Sequence, residues 1–271
     1  MDATIQGRLD VSAVVPGAVC HRGVTYAERL GFRPLLMDVY GPLHPTGPVP
    51  CVMWVHGGAW WEGDRRFLPD VWEHGSLFRD LVGAGLAVAT VDYRLSGEAR
   101  WPAQLDDVRD ALGFLREHAA ELGLGPIGVA GESAGGHLAA MLALTDEVQA
   151  AALLYPVTDL LDWDDVHEAS AEETPEARLL GTSPDADPEG WAKASPLSHV
   201  HPAAPPTLII TGDADAVVPA RQSVRLHGAL VAAGAPDVEL ELVAGADHCF
   251  GGVDPSGPLR RVVEFLAARL A

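Results

Sequence analysis

Ile127-Gly128-Val129-Ala130-Gly131-Glu132-Ser133-Ala134-Gly135-Gly136 is an apolar run that stops at a glycine-flanked serine and gives way to a helix-forming segment. It reads as a strand, a sharp turn and a helix. Gly131 and Gly135 flank Ser133 at the G-x-S-x-G spacing of a nucleophile elbow, where a strained turn lifts the hydroxyl above the C-terminal edge of a sheet. Strand and helix approach so closely in such a turn that a side chain at either glycine would meet the opposing backbone. Ser133 then stands at a helix start, where free N–H groups and partial positive charge favour a developing oxyanion. An ordinary glycine-rich turn can carry the same letters, so the rest of the chain decides.

Outward from the elbow, strand and helix patterns alternate. Short apolar runs at 24–26, 35–40, 51–55, 86–91, 148–154, 207–211 and 238–243 join the elbow strand to give about eight strands. Helical spacing marks 68–82, the stretch from Trp101-Pro102 to about 122, 134–144, 221–233 and 259–270. The first two strands read as an antiparallel opening pair. The later ones lack polar alternation, as strands covered on both faces do. The expectation is an α/β fold: a mostly parallel central sheet with helices on both faces. Residues 1–271 read as one domain, with an arm at 1–23 and an acidic insertion or lid at 157–206 after the sixth strand. Short helical pieces are expected in that insertion at 175–180 and 189–194.

Composition narrows the function. With 271 residues, 48% of them hydrophobic, the chain can bury a full core. A formal net charge of -20 weighs against a polyanion-binding surface, which needs clustered Lys and Arg, and against contact with anionic lipid. Three widely spaced cysteines, Cys20, Cys51 and Cys249, indicate neither a disulfide framework nor a C-x-x-C site. The N-terminus lacks a basic-then-apolar leader pattern, and no apolar run approaches a membrane span, so cytoplasmic residence is the default expectation. No His/Cys/Asp cluster has metal-ligand spacing and no dinucleotide or Walker loop is present, so no cofactor or metal is expected.

A serine hydroxyl is a weak nucleophile unless an imidazole takes its proton and a carboxylate orients that imidazole. The order expected after an elbow serine is acid, then histidine. Gly212-Asp213-Ala214-Asp215-Ala216-Val217-Val218-Pro219 follows one late strand, and Gly245-Ala246-Asp247-His248-Cys249-Phe250 follows the last. Both loops leave the strand ends beyond which open α/β sheets bind ligands. Either Asp213 or Asp215 could reach His248 from its loop. After the strand at 51–55 comes His56-Gly57-Gly58-Ala59-Trp60-Trp61, a loop able to offer backbone N–H groups to an oxyanion alongside that of Ala134.

These motifs together resemble the α/β-hydrolase superfamily, in particular esterases with an HGG-x-W loop, a DYRL segment, GESAGG, a GDxDxxVP loop and a late His-x-Phe. The similarity runs from about residue 36 to the C-terminus and is nearest to bacterial carboxylesterases of the feruloyl and acetyl-xylan esterase type, with kynurenine formamidase as a relative. It implies Ser133 as nucleophile, His248 as base and acid, Asp215 as the orienting carboxylate, and Gly57, Gly58 and Ala134 as oxyanion donors. It selects Asp215 over Asp213, which is left to fix its loop. Ala59 departs from the pattern, since many relatives have a third glycine there.

The neighbours of these residues have structural readings as well. His56 is expected to brace the oxyanion loop, His137 to pack or hydrogen-bond one turn beyond Ser133, Glu132 to brace the elbow, and Asp247 to lie on the surface. Asp92-Tyr93-Arg94 is expected to form one buried brace. Trp60 and Trp61 are candidates for an aromatic wall against the substrate, or for core packing. The implied activity is hydrolysis of small to medium acyl or aryl esters through an acyl-enzyme. Formamide cleavage of an aryl substrate is the alternative, and a non-catalytic binding protein that keeps the fold is the alternative of another class. A propeller-bearing peptidase is disfavoured because no such domain precedes the hydrolase pattern. Oligomeric state is not legible.

Overall fold

The structure, a computed structural model, describes residue 15 and residues 18–73, 75–162 and 174–271. In chain order the strands are Val19–Ala27 (β1), Leu35–Gly41 (β2), Val49–Val55 (β3), Ala87–Val91 (β4), Leu124–Glu132 (β5), Ala151–Leu154 (β6), Thr207–Gly212 (β7) and Val238–Val243 (β8). The helices are Ser76–Gly83 (α1), Ala103–Glu117 (α2), Ala119–Leu122 (α3), Ala134–Thr145 (α4), Pro175–Leu180 (α5), Pro188–Lys193 (α6), Ala220–Ala233 (α7) and Ser256–Leu270 (α8). All eight strands join one sheet in the order β1-β2-β4-β3-β5-β6-β7-β8. β2 runs antiparallel to β1 and β4, and the remaining pairs are parallel.

Alternation of side chains across the pleat divides the core in two. Cys51, Met53 and Val55 of β3 and Val129 of β5 face a layer that includes Leu105 and Leu112 of α2, Leu138 of α4 and Leu226 of α7. Val52 and Trp54, their neighbours along β3, face Leu77 and Phe78 of α1 and Val262 and Leu266 of α8. A strand covered on both faces has no solvent side, which is why β3, β4 and β7 read as unbroken apolar runs. α4 is buried from Ala134 to Leu144, so it shows no polar stripe. After β4 the chain returns to the other side of β3 to form β5, and this reversal opens a crevice beyond the C-terminal ends of β3 and β5.

The helix expected to about 122 breaks at His118 into α2 and α3, the strand expected from 148 begins at Ala151, and two further boundaries depart for a visible reason. β1 begins at Val19, so residues 19–23 of the expected arm are sheet; residues 1–14, 16 and 17 lie outside the described residues. The helix expected over 68–82 starts only at Ser76, because Gly75 has φ 70°, a left-handed backbone no right-handed helix accommodates. Trp72 instead packs edge-on against Trp54 and stacks against Phe250, and its indole N–H donates to the Cys249 carbonyl at 2.9 Å. That tertiary docking overrides the helical spacing of Leu68, Val71 and Trp72. Within the insertion, α5 is capped by Thr174 and α6 by Asp187, each followed by proline at the first helical position. The middle of the insertion, 163–173, lies outside the described residues.

Candidate active site

Ser133 joins β5 to α4 with φ 53° and ψ -120°, a conformation L-residues rarely adopt. Neighbouring glycines make the turn possible. A Cβ on Gly131 would run into the Gly135 carbonyl, and one on Gly135 into the carbonyls of Val55 and His56. The strained serine is held by its own N–H, which donates to the Leu154 carbonyl at 2.9 Å, and by its carbonyl, which accepts from His137 N–H at 3.0 Å. Among the described residues, the non-glycine positions with positive φ are Ala59, Trp60, Ser133, Tyr155, Cys249 and Phe250. These follow β3, β5, β6 and β8, so the unfavourable backbone is confined to the strand ends that border the crevice.

His248 follows β8 and meets both expected partners. Its Nε2 lies 3.1 Å from Ser133 Oγ and its Nδ1 2.8 Å from Asp215 Oδ2. The other carboxylate oxygen of Asp215 accepts the N–H groups of Val217 and Val218 at 2.9 and 2.8 Å, so the buried carboxylate is clamped at both ends. The Tyr155 ring packs edge-on against the imidazole at 4.8 Å. Asp213 points away to accept Gly245 N–H at 2.6 Å, which ties the β7 loop to the β8 loop. Asp247 is exposed and accepts from Ala216 and His248 N–H, and those two bonds lower its carboxyl pKa.

The loop after β3 differs from its sequence reading at one donor. Gly57 N–H donates to Glu132 Oε1 at 2.6 Å, so it does not face Ser133, and a Cβ on Gly57 would strike the same carboxyl. The remaining backbone donors are Gly58 at φ 94°, Ala59 and Ala134, and Ala59 and Ala134 line the slot beside Ser133. Glu132 is buried, and loss of hydration raises its carboxyl to about 7 despite the opposing influence of His248 and the Gly57 N–H. His56 stacks on Tyr93 with 4.3 Å between ring centroids, and its Nδ1–H donates to the Gly57 carbonyl at 2.8 Å. Burial holds the His56 imidazole down at about 4, which keeps it a neutral brace.

Trp60 and Trp61 diverge. Trp60 is buried and lines the slot of about 60 Å³ beside Ser133, together with Ala59, Ala134, Val157, Pro175, Glu176, Val217 and Val218. Its indole N–H donates to His137 Nδ1 at 3.2 Å, and His137 Nε2–H donates to the Ala194 carbonyl at 2.7 Å. The two bonds fix the neutral tautomer of a ring whose pKa burial lowers to about 4. Trp61 is half-exposed and lines a separate cavity of about 630 Å³.

Asp92, Tyr93 and Arg94 brace the structure as expected, but through three separate sets of partners rather than one. Asp92 accepts from Arg65 through both backbone and side chain, the Tyr93 hydroxyl donates to the His56 and Gly57 carbonyls, and Arg94 grips Asp107 through three N–H groups. Val157, Val217 and Val218 also line the slot, and their only signal in the sequence is position after a strand. Among the described residues, no group of three His, Cys, Asp or Glu side chains stands ready to hold a metal ion. No described helix is long and apolar enough to cross a membrane.

The model of the BD-FAE family matches residues 37–230. Esterase LipQ of Mycobacterium tuberculosis is 33% identical over 238 residues, covering 81% of this chain and 55% of that protein. Esterase LipC of the same organism is 31% identical over 89% of this chain and 64% of its own length. The chain therefore spans a little over half to under two thirds of these relatives. A truncated carbohydrate esterase from gut microbiota superposes with a TM-score of 0.82 at 28% identity, covering 93% of this chain and 96% of that one. A bacterial heroin esterase superposes with a TM-score of 0.75 at 26% identity over 94% and 85% of the two chains. This is the α/β-hydrolase architecture.

Proposed function

The chain belongs to the BD-FAE family, and we propose on that premise that it is a serine carboxylic-ester hydrolase working through an acyl-enzyme on small-molecule esters. The observation that carries the reading is the continuous relay from Asp215 through His248 to Ser133, with spans of 2.8 and 3.1 Å. Asp215 fixes the Nδ1–H tautomer, which leaves the Nε2 lone pair facing the serine hydroxyl. His248 takes that proton as Ser133 Oγ attacks the ester carbonyl, and the new oxyanion faces the N–H groups of Gly58, Ala59 and Ala134. The imidazolium then protonates the departing alcohol, and water attacks the acyl-enzyme with His248 again as base. A slot of about 60 Å³ beside the serine suits a short acyl group.

The relatives named above are esterases, which supports ester over formamide cleavage and over a binding role without catalysis. The described cysteines are all free, which supports residence in a reducing compartment such as the cytoplasm. Turnover of 4-nitrophenyl acetate and butyrate, with fluorophosphonate labelling, tests the reading. Ser133→Ala is expected to abolish both while circular dichroism stays unchanged. Undiminished turnover by the pure variant would overturn it.

A further inference from the structure

The cavity of about 630 Å³ beyond Trp61 is not used by the chemistry just described. Trp61, Ser96, Arg100, Ala177, Arg178 and Gly181 are among the residues that surround it. It shares two walls with the catalytic slot. Trp60 faces the slot and Trp61 the cavity, while Pro175 and Glu176 of α5 border the slot and Ala177 and Arg178 the cavity.

Its charge is unusual for this molecule. The chain has 18 Lys and Arg against 38 Asp and Glu, so a cation has carboxylates in abundance to pair with. Arg29, Arg33, Arg65, Arg66, Arg79, Arg94, Arg109, Arg221, Arg225, Arg260, Arg261 and Arg269 all do so. Arg100 and Arg178 form no ion pair with any described residue, and both line the same cavity. Arg116, at the exposed end of α2, also lacks one but has no arginine partner across a pocket.

The two guanidinium groups are nevertheless positioned. Arg178 lies over the Trp61 ring at 4.8 Å. Arg100 rests against Gly181, whose φ of 70° ends α5 and whose missing side chain leaves the space the guanidinium fills. Trp101 N–H donates to the Leu179 carbonyl at 2.9 Å and anchors the Arg100 backbone to α5. Ser96 lines the same cavity, and its hydroxyl is buried behind the cavity surface with no hydrogen-bond partner among the described residues.

We propose that this cavity is a carboxylate-recognising subsite, so that the ester substrate carries a carboxylate on its alcohol portion, remote from the scissile bond. The inference rests on the hydrolase reading above. The narrow slot holds the short acyl group, which leaves the larger cavity to the alcohol. Two forked guanidinium donors match one carboxylate, and the chain's net negative charge disfavours a dianionic phosphate there. The Trp61 face offers a planar apolar surface for the body of the leaving group.

The test compares 3-(4-acetoxyphenyl)propanoate with its primary amide, two acetates of closely matched phenol reactivity that differ in remote charge. The parent is expected to prefer the anion in kcat/KM by about tenfold, the scale of one charge-assisted hydrogen bond. The preference should fall as ionic strength rises. In R100Q/R178Q it should collapse to near one, and each single variant should lose part of it, while Arg116→Gln, the same one-charge change as either single variant but placed on α2, should alter neither rate. No preference in the parent, or the same preference in R100Q/R178Q, would overturn the subsite. If neither acetate turns over, the hydrolase reading fails instead. The subsite is then read by NMR titration of Ser133→Ala protein with 3-(4-hydroxyphenyl)propanoate and its amide. Tighter anion binding that depends on Arg100 and Arg178 sustains it, and equal binding overturns it.

Discussion

The slot beside Ser133 and the cavity beyond Trp61 share two walls but are built by different means. The slot is defined by backbone: a strained serine, left-handed residues at Ala59 and Trp60, and glycines that admit no side chain. The cavity is defined by the long side chains of Trp61, Arg100 and Arg178, contributed by the oxyanion loop, the approach to α2, and α5. Backbone at strand ends can hold reacting atoms to within tenths of an ångström because the sheet fixes it. Flexible side chains over an inserted helix can be exchanged without disturbing that sheet. On the function and subsite proposed above, the fold separates reaction from selection, with chemistry on the fixed wall and substrate choice on the variable one.

The sharpest way to break this division is at the carboxylate behind His248. Asp215→Asn keeps the shape but presents an amide to Nδ1 and favours the wrong imidazole tautomer. We expect kcat on 4-nitrophenyl butyrate to fall by about 10⁴-fold. Asp213→Asn, two residues earlier on the same loop, should keep kcat within a few-fold, because Asp213 only receives Gly245 N–H. If the two variants exchanged phenotypes, the wiring of the slot would be wrong.

Behind the slot, against the Gly57 N–H, lies a buried acid, Glu132, with no counterpart among the residues that line the cavity. Folding raises the Glu132 carboxyl from 4.5 to about 7, so between those values the folded chain holds a proton that the unfolded chain has released. Its contribution is fully present below pH 4.5 and is lost as pH rises through 7, a withdrawal of about 3 kcal/mol. His56 and His137 act in the opposite sense. Their folded values near 4 lie below the ordinary 6.5, so their contribution is present above pH 6.5 and lost as pH falls through 4. Urea unfolding of Glu132→Gln should therefore show a smaller decline between pH 5 and pH 8 than the parent does, with the acid limb unchanged. An identical pH profile would remove Glu132 from the account.

What could be read from the sequence follows the same division. Ser133, Asp215 and His248 were legible because each lies a fixed few residues beyond a strand whose apolar pattern is unmistakable, so chain spacing translates directly into position. Gly57 was misread in detail. Spacing places its N–H in the right loop, but only packing reveals that the buried Glu132 claims it. The helix expected from residue 68 failed because Trp72 has a better partner in the His248 loop than in its own turn. Arg100 and Arg178 are 78 residues apart and meet only once α5 docks, so no local period announces them. The alternation of strands and helices, which rests on local periodicity, was recovered almost whole.

The smallest effect tests whether the two regions are independent where they touch. Trp61 neighbours the slot-lining Trp60 in sequence, yet its ring serves the cavity, lying beneath Arg178 at 4.8 Å. Removing the ring with Trp61→Leu forfeits a partly exposed cation–π contact, which is about 0.5–1 kcal/mol, or roughly two- to fivefold in an equilibrium. Arg178 would remain charged but less ordered over the cavity. The preference for 3-(4-acetoxyphenyl)propanoate over its amide should shrink by that factor, carried by KM, because the loss falls on ground-state binding. The kcat for both acetates should stay close to the parent value, since Trp60, its hydrogen bond to His137 and the Ala59 backbone are untouched. A drop in kcat larger than the shift in KM would mean that the oxyanion loop leans on Trp61. The fixed wall would then extend one residue further than the backbone alone suggests.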